Sequence, residues 1–441
     1  MRKKLVLLAL LLTVGNSAMG QTAGVPAMGQ TAGAPAMGQT PEPVTIPLDQ
    51  IVNYRQHMRD IVEALGTYAK SRNRHFVLLA RGGLHLFSKS RWESQLEDLH
   101  DPDGAGAYRR LPQGTLFRTY HRVLSGYVED DRYCGPAAAR EEARLKALAE
   151  AAEKAKAEER AKEEALARQK AKRVIRGQWT RVVVDPNPPP PAPPPPVNPL
   201  IAEMEQTRAK AAAEQAEADR TADRRLVESI KDLGLRALSI EHCSSADWVA
   251  KAMKQASLDR TLTFADIDPK GELDRIAKGR PWNENAANVD SLDEVKNMLV
   301  MVDSRHYARR DEWLMALAKS NHDLLIIDGF HKGSESLTKS EVYGLKFKRL
   351  GSRRLVFARL NLGEAQDYRY YWKREWMVGD PDWLDAPSPR DPAAMIVKYW
   401  SDDWKAIVGQ YMAGLMDLGF DGIMLEGLDA YEHFEKRAPL E

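Results

Sequence analysis

The sequence predicts an α/β fold, a single (β/α)8 TIM-type barrel that carries a long helical and proline-rich insertion. Of the 441 residues, about 300 have the composition of one large folded domain. Eight short apolar runs alternate with helical patterns, and strands covered on both faces have such continuous apolar sequences. An open doubly wound sheet is the alternative. The eight runs are Phe76–Ala80, Val123–Val128, Ala237–Ile240, Thr261–Ala265, Met298–Val302, Leu324–Ile327, Leu355–Leu360 and Gly422–Leu425.

The N-terminal residues have the pattern of an export signal followed by a tether. A basic start, an apolar run and small residues indicate that residues 1–20 are a signal peptide. Residues 21–43 belong to a repeat of Ala-Met-Gly-Gln-Thr and lack the apolar residues of a core, which indicates a flexible tether. No later apolar run is long enough to cross a bilayer. We therefore expect a secreted or periplasmic protein without a membrane span.

The barrel is expected in two segments, 44–135 and 226–441, separated by an insertion at 136–225. Helical patterns precede most of the strands in both segments, which is the alternation that a barrel requires. The predicted barrel helices are Ile51–Ser71, Leu226–Leu233, Ala246–Ala256, Arg309–Ser320 and Trp404–Leu418.

The insertion combines two polar helical patterns with a proline-rich spacer. Ala137 to Arg176 is rich in Ala, Glu, Lys and Arg and predicts a solvated helix rather than a strong coiled coil. Ten prolines from Pro186 to Pro199 indicate polyproline II, and a second polar helix is expected from Ile201 to about Ala222. We expect an arm that binds an envelope protein or polymer, or limits access to the barrel.

Composition and motifs exclude several classes of function. With 64 Lys and Arg against 63 Asp and Glu, no basic surface favours nucleic acid as a partner. Two cysteines cannot form a zinc ribbon, and the ten histidines lack metal-ligand spacing, so no metal and no cofactor are expected. Fingerprints for acyl transfer, nucleotide hydrolysis and hydride transfer are missing from the sequence.

Acidic residues follow the predicted strands. In a barrel these positions converge on the carboxyl rim, where active sites lie and where crowded carboxylates acquire different pKa values. A single acid after a strand is commonly only a helix cap, but seven of the eight runs have one. The residues concerned are Glu129 with Asp130, Glu241, Asp266, Asp303, Asp328, Asn361 with Glu364, and Glu426.

Aromatic residues are concentrated between the seventh and eighth runs. Glycines and prolines there predict a long loop rather than a helix. Exposed Trp and Tyr rings stack well on the apolar faces of sugars, whereas buried rings would only pack the loop onto the barrel. We consider Trp372 and Trp400 candidates for sugar binding.

Several motifs resemble a known family. They are Asn361-Leu-Gly-Glu-Ala-Gln-Asp-Tyr-Arg-Tyr-Tyr-Trp372 and Gly419-Phe-Asp-Gly-Ile-Met-Leu-Glu-Gly-Leu-Asp-Ala-Tyr-Glu432, with shorter segments at Tyr54–Asp60, Leu325–Phe330 and Val397–Trp400. The chain resembles the glycoside hydrolases related to endo-α-1,4-polygalactosaminidase, glycoside hydrolase family 114. The resemblance implies a barrel enzyme that acts on a galactosamine-type polysaccharide by a two-carboxylate mechanism.

The order of the motifs is rotated relative to the family, as in a circular permutation, which a closed barrel tolerates. Several polar positions also differ. The family's Pro-Gln-Asn-Gly turn is Ala80-Arg81-Gly82-Gly83, a family Asp is Glu426, and an Asp-Tyr pair is Glu241-His242. A carboxylate misplaced by about 1 Å can lower a rate about 100-fold, so these differences bear on activity.

The resemblance implies the roles of the site residues. Glu426 would be the nucleophile or base and Asp130 the acid, with Glu129 as the rival for the acid role. Sugar would be bound and oriented by Asp328, Glu364, Tyr368, Arg369, Glu241, Arg81, Trp372 and Trp400. The alternative is a catalytically impaired barrel that binds envelope polysaccharide or scaffolds a complex. An Arg81 side chain between Glu426 and Asp130 would favour that alternative.

Cys134 and Cys243 follow the second and third runs, which are neighbours in a barrel. In an oxidising compartment they could form a disulfide that closes a loop around the insertion. Two buried thiols are the alternative.

Overall fold

Parallel strands form the centre of the computed structural model, which describes residues 51–101, 111–135, 199–268, 270–276, 279–438 and 440. Eight of the strands belong to one sheet, and five short strands lie in the connections. In chain order the strands are β1 (Val77–Arg81), β2 (Gly126–Asp130), β3 (Arg236–Cys243), β4 (Leu262–Ile267), β5 (Met298–Met301), β6 (Leu324–Ile327), β7 (Phe330–His331), β8 (Glu335–Ser336), β9 (Leu355–Asn361), β10 (Glu364–Gln366), β11 (Leu384–Pro387), β12 (Ala394–Val397) and β13 (Gly422–Glu426).

The eight-stranded sheet curves into a nearly closed barrel. Its hydrogen-bonded order is β4-β3-β2-β1-β13-β9-β6-β5, so the first and last barrel strands of the chain are neighbours. Val77 pairs with Gly422 at that junction. The edge strands β4 and β5 are in contact, and the carbonyl of Leu273 accepts backbone N–H bonds from Val302 and Asp303 beside them. The prediction of an α/β fold with eight parallel strands is confirmed.

Helices cover the outside of the sheet. The strands have little access to solvent, and all four residues of both β5 and β6 are buried. Such burial on both faces explains why these strands read as continuous apolar runs rather than as alternating ones. The described α-helices are Tyr54–Arg72, Arg91–His100, Arg118–Val123, Pro199–Asp232, Ala246–Leu258, Arg310–Ala318, Lys339–Leu345, Asp402–Leu418 and Tyr431–Glu435.

Two predicted strands differ by three residues at one end from those in the structure, whereas the other six differ by two residues or fewer. The second run was expected to begin at Val123, but Val123 ends the helix Arg118–Val123 and the strand begins at Gly126. The third was expected to end before Glu241, but β3 continues through Cys243. Glu241 and His242 therefore lie within the ladder with β4 rather than after it, opposite Ala265 and Asp266.

One uninterrupted helix, Pro199–Asp232, occupies the region where the sequence predicted two helices. No glycine or proline separates Ala222 from Leu226, so nothing stops the helix there. Val227 and Ile230 are buried against the barrel, whereas the described side chains from 207 to 219 are exposed. The predicted boundary at 225 thus falls inside a helix, and the division of the chain into barrel and insertion stays a prediction.

The aromatic segment between β9 and β13 is more regular than a loop. Strands β10, β12 and β11 form a three-stranded antiparallel sheet there. Glu364 pairs with Ile396, and Ala386 pairs with the same residue from the other side. The short strands escaped prediction because glycines and prolines surround them.

Several predictions lie outside the described residues. These are the signal peptide and tether at 1–43, the Ala-rich helix from Ala137 to Arg176, and the polyproline stretch before Pro199. Among the described helices, none combines the length and the apolar character that a membrane-spanning helix needs.

Candidate functional site

The candidate site lies at the carboxyl ends of four adjacent strands. Arg81 ends β1, Asp130 ends β2 and Glu426 ends β13. Arg359 lies in β9, opposite Met424 of β13. The strand order therefore brings together residues that are up to 345 positions apart in the chain.

The Arg81 guanidinium bridges the two carboxylates that were expected to catalyse. Its Nε donates to both carboxylate oxygens of Asp130 at 3.0 Å, and its Nη1 donates to Oε1 of Glu426 at 2.7 Å. Burial by itself would lower the pKa of Arg81, but Glu426 and Asp130 raise the pKa above its usual value. Arg81 thus occupies the space between Glu426 and Asp130, which is the arrangement that favours the binding alternative.

Glu426 is held as an ion between two arginines. Its side chain is 9% exposed, and its Oε2 lies 2.9 Å from Nε of Arg359, an ion-pair distance without hydrogen-bond alignment. Burial by itself would raise the pKa of Glu426, but Arg359 and Arg81 lower the pKa below its usual value. A carboxylate in this environment is ionised at neutral pH and suits a nucleophile or base, not a proton donor.

Glu129, the other candidate for the acid role, is paired with Arg132. Nη1 of Arg132 donates to Oε2 of Glu129 at 2.9 Å. The next acid along the chain, Asp131, accepts hydrogen bonds from the backbone N–H of His242 at 2.9 Å, and its Oδ1 lies 3.1 Å from Nδ1 of that ring. Neither Asp131 nor His242 has a role that was predicted from the sequence.

Asp328 and Arg369 form a buried ion pair instead of facing solvent. The two guanidinium Nη atoms donate to the two carboxylate oxygens at 2.9 and 2.7 Å. Arg369 also donates from Nε to Gln366, and its guanidinium carbon lies 5.2 Å from the centre of the half-buried Tyr368 ring. With side chains only 2% and 5% exposed, Arg369 and Asp328 fix the segment after β10 against the end of β6.

Glu364 is also occupied by neighbours. Its Oε2 accepts from Nδ2 of Asn361 at 3.0 Å, and its Oε1 accepts from Oγ of Ser388 at 2.8 Å. Nη2 of Arg390 lies 3.5 Å from the same Oε1. The carboxylate therefore joins the end of β9 to the small antiparallel sheet.

Glu241 holds the turn that follows β2. Its Oε2 accepts from the backbone N–H groups of Tyr133 and Cys134 at 2.8 and 2.9 Å, and burial raises the pKa of Glu241. Cys134 is joined to Cys243 by a disulfide, with 5.0 Å between the Cα atoms. Glu241, placed with the sugar-binding residues by the resemblance, thus fixes a loop.

The two tryptophans predicted to bind sugar are partly covered by other rings. Trp372 makes an edge contact with Trp376 at 5.4 Å between ring centres, and Trp400 contacts Phe434 at 4.7 Å and Tyr54 at 5.3 Å. Their neighbours Trp383, Tyr399 and Trp404 are buried. Packing of the segment onto the barrel therefore accounts for most of the aromatic cluster.

Asp429 and Arg359 were missed by the sequence analysis. Asp429 lies three residues after Glu426, and its Oδ1 accepts from the backbone N–H of Gly83 at 2.7 Å. Burial raises the pKa of Asp429 above its usual value. A charged residue inside the apolar run of β9 was a signal for Arg359, whereas nothing in the sequence separated Asp429 from an ordinary turn residue.

Two surface clefts flank this end of the barrel in the described part of the chain. One, of about 380 Å³, includes Arg55, His85 and Trp92 in its lining, and the other, of about 530 Å³, includes Arg132 and Trp248. Neither lining includes Glu426.

No protein-family model matches the chain. Three curated relatives are uncharacterized proteins. The relative from Methanocaldococcus jannaschii is 31% identical, over 39% of this chain and 47% of its own length. The relative from Thermotoga maritima is 35% identical, over 28% of this chain and 40% of its own length. The Deinococcus radiodurans relative is 32% identical over 28% of this chain and 39% of its own. The chain therefore spans less than half of each relative, and the circular permutation stays a prediction.

Solved structures of the glycoside hydrolase domain of PelA from Pseudomonas aeruginosa, unaltered and as a single-residue variant, are 21% identical to this chain. The match covers 26% of this chain and 42% of that domain, with a TM-score of 0.20. A superposition of this extent contributes nothing to the assignment of function, which has to come from the residues of this chain.

Proposed function

We propose that this chain is an exported glycoside hydrolase that cleaves an amino-sugar polysaccharide of the galactosamine type. The observation that carries the proposal is Glu426, a nearly buried carboxylate kept ionised at the carboxyl end of a barrel strand. Catalytic groups of barrel enzymes occupy such strand ends, and glycoside hydrolysis needs one ionised carboxylate. The substrate class comes from the resemblance of the sequence motifs.

In this reaction Glu426 attacks the anomeric carbon or removes a proton from the attacking water. Arg81 and Arg359 fix the two oxygens of its carboxylate, so the side chain needs little reorganisation. Arg81 has to give up part of its hold on Glu426 when sugar arrives, and Asp130 supplies a second partner that keeps the arginine in place.

Replacing Glu426 tests the proposal directly. We expect Glu426→Gln to lower the release of reducing ends from de-acetylated galactosamine polymer by at least about 100-fold. Because Gln removes the anion that Arg81 and Arg359 share, Glu426→Asp is the companion variant. It keeps the charge and moves the carboxylate by about 1 Å, which should also cost about 100-fold.

Asp402→Asn is the matched control, since Asp402 is 79% exposed at a helix start and its loss should leave turnover unchanged. Circular dichroism on each variant establishes that the barrel is folded. Full turnover by a folded Glu426→Gln protein would contradict the proposal.

The second candidate function is polysaccharide binding without turnover, and the position of Arg81 favours it. A guanidinium that already bonds both Glu426 and Asp130 leaves neither carboxylate free in the unliganded protein. Calorimetry of the unaltered protein with the same polymer separates the two functions. Binding heat without new reducing ends would establish the binding function and end the hydrolase proposal.

A further inference from the structure

The proposed reaction requires a proton donor, and the two acids expected to supply it are both paired with arginines. Asp130 accepts two hydrogen bonds from Arg81, and Glu129 accepts one from Arg132. In each of these two carboxylates, at least one oxygen is therefore already held by an arginine. A general acid instead needs an environment that favours the neutral carboxyl group.

Asp429 has such an environment at the same rim. Its carboxylate reaches from the turn after β13 to the turn after β1, where it accepts the backbone N–H of Gly83. No arginine or lysine forms an ion pair with it in the part of the chain that the structure describes. Burial raises the pKa of Asp429 and outweighs the lowering effects of the Gly83 hydrogen bond, Arg390 and His85, while Glu432 raises the pKa further.

The turn after β1 contacts both acids. Arg81 donates to Glu426 at one end of this turn, and Gly83 donates to Asp429 at the other. Between them, Gly82 has a φ of +75°, and a Cβ on it would lie 2.2 Å from Oδ2 of Asp429. The turn therefore admits only glycine at this position, and its two ends contact the two carboxyl groups, one at the end of β13 and the other three residues later.

We infer that Asp429 is the general acid of the proposed hydrolysis, with Glu426 as the ionised partner. The inference deepens the proposed function and rests on it. Two carboxyl groups whose environments shift their pKa values in opposite directions are the usual basis for separate acid and base roles. Here arginines lower the pKa of Glu426, whereas burial raises the pKa of Asp429.

In the reaction, the bond between the anomeric carbon and the glycosidic oxygen breaks, and its electron pair stays on that oxygen. The carboxyl proton of Asp429 moves to the same oxygen, which leaves as a sugar hydroxyl. The anomeric carbon gains an oxygen from Glu426 or from a water that Glu426 deprotonates. One water is consumed per bond: its oxygen and one proton become the new hydroxyl group on the anomeric carbon, and its other proton restores Asp429. If Glu426 is the nucleophile, Asp429 takes that proton from the water as the bond between Glu426 and the anomeric carbon breaks; if Glu426 is the base, the proton passes from Glu426 to Asp429 through solvent.

Asp429→Asn tests this role with little change in shape, because the Asn oxygen can still accept the Gly83 N–H. We expect polymer cleavage to fall about 100- to 10,000-fold. A galactosamine oligomer with a dinitrophenyl leaving group needs no protonation, so its cleavage should fall less than about 10-fold. Glu426→Gln should instead abolish cleavage of both substrates. A merely structural role for Asp429 would lower both rates equally.

Asp130 is the competing candidate for the acid role. If Asp429 is the acid, Asp130→Asn should slow polymer cleavage less than Asp429→Asn does. The reverse order would overturn the inference, as would a folded Asp429→Asn protein that cleaves polymer at the unaltered rate. Either result leaves the hydrolase proposal intact, provided that Glu426→Gln is inactive. If the unaltered protein cleaves neither substrate, the hydrolase proposal fails and the acid role of Asp429 fails with it.

Discussion

The carboxyl rim of the barrel has two sides that treat buried carboxylates differently. On the arginine side, formed by β1, β13, β9 and β6, Glu426 and Asp328 are paired with guanidinium groups. On the disulfide side, formed by β2 and β3, Glu241 accepts backbone N–H groups and Asp131 contacts His242.

The difference separates chemistry from anchoring. Guanidinium partners orient carboxylates by charge-assisted hydrogen bonds at the rim, and at Glu426 they also lower the pKa, which is what a reacting base or nucleophile requires. Backbone N–H partners and the disulfide instead fix the described part of the loop that follows β2, Asp131 to Gly135. Mutations on the arginine side should therefore change activity, stability or both, whereas mutations on the disulfide side should change stability alone.

The largest stability effect is expected from Arg369→Met on the arginine side. Among the described residues, this leaves buried Asp328 with the backbone N–H of Phe330 as its remaining hydrogen-bond partner, which should lower the free energy of unfolding by about 3 to 5 kcal/mol. Urea denaturation measures it. Arg72→Met, which breaks an ion pair with side chains 41% and 66% exposed, is the control and should leave the free energy of unfolding nearly unchanged.

The disulfide should have the next largest effect. It joins residues 109 positions apart, so the paired substitution Cys134→Ser with Cys243→Ser should cost about 2 to 5 kcal/mol of unfolding free energy. Cleavage of polymer, measured on the folded variant, should stay near that of the unaltered protein. A selective loss of cleavage at full stability would show that the disulfide side takes part in chemistry.

The sequence predicted the positions of the strands and of the rim acids, but it did not predict which side chains pair with one another. Apolar runs predicted the barrel strands, because a strand that is buried on both faces has a continuous apolar sequence. The acids directly after these runs predicted the rim, because they follow the strands in the sequence. The contact of Arg81 with Glu426 spans 345 positions and depends on which strands are neighbours and on the direction of one side chain. Glu241 was predicted to be a rim acid because its run was expected to end at Ile240, whereas β3 continues to Cys243.

Asp429 shows a second limit of the sequence. Its carboxyl group differs from that of Glu426 in accepting a hydrogen bond from the backbone of Gly83 and in lacking an arginine ion pair among its described partners, so that burial raises its pKa. Both are properties of the folded rim rather than of the motif, in which the two acids stand three residues apart. Residue type therefore predicted a carboxylate site, whereas the acid and base roles required the structure.

Glu241→Ala should have a moderate effect. The change removes the acceptor for the backbone N–H groups of Tyr133 and Cys134, and we expect a loss of about 1 to 3 kcal/mol. Glu241→Gln keeps an oxygen for these groups and should lose less. Thermal unfolding of the two variants gives the comparison, and equal losses would mean that burial of the side chain, not its hydrogen bonds, stabilises the loop.

The smallest effect is expected for His242→Asn and appears only as a change in pH dependence. The hydrogen bond to Asp131 raises the pKa of His242 above 6.5, so its stabilising contribution is complete below pH 6.5 and is lost as pH rises through the folded value. The same contact lowers the pKa of Asp131 below 3.8, so that contribution is complete above pH 3.8 and is lost as pH falls through the folded value.

The pair therefore stabilises most between these limits. Because the Asp131 side chain is 35% exposed, solvent screening should keep the total below about 1 kcal/mol. Unfolding free energies measured from pH 5 to 9 should fall for the unaltered protein relative to His242→Asn, whereas the exposed His75→Asn control should follow the unaltered protein. Parallel curves for all three proteins would show that the His242 contact stabilises this side of the rim independently of charge, as the hydrogen bonds of Glu241 do.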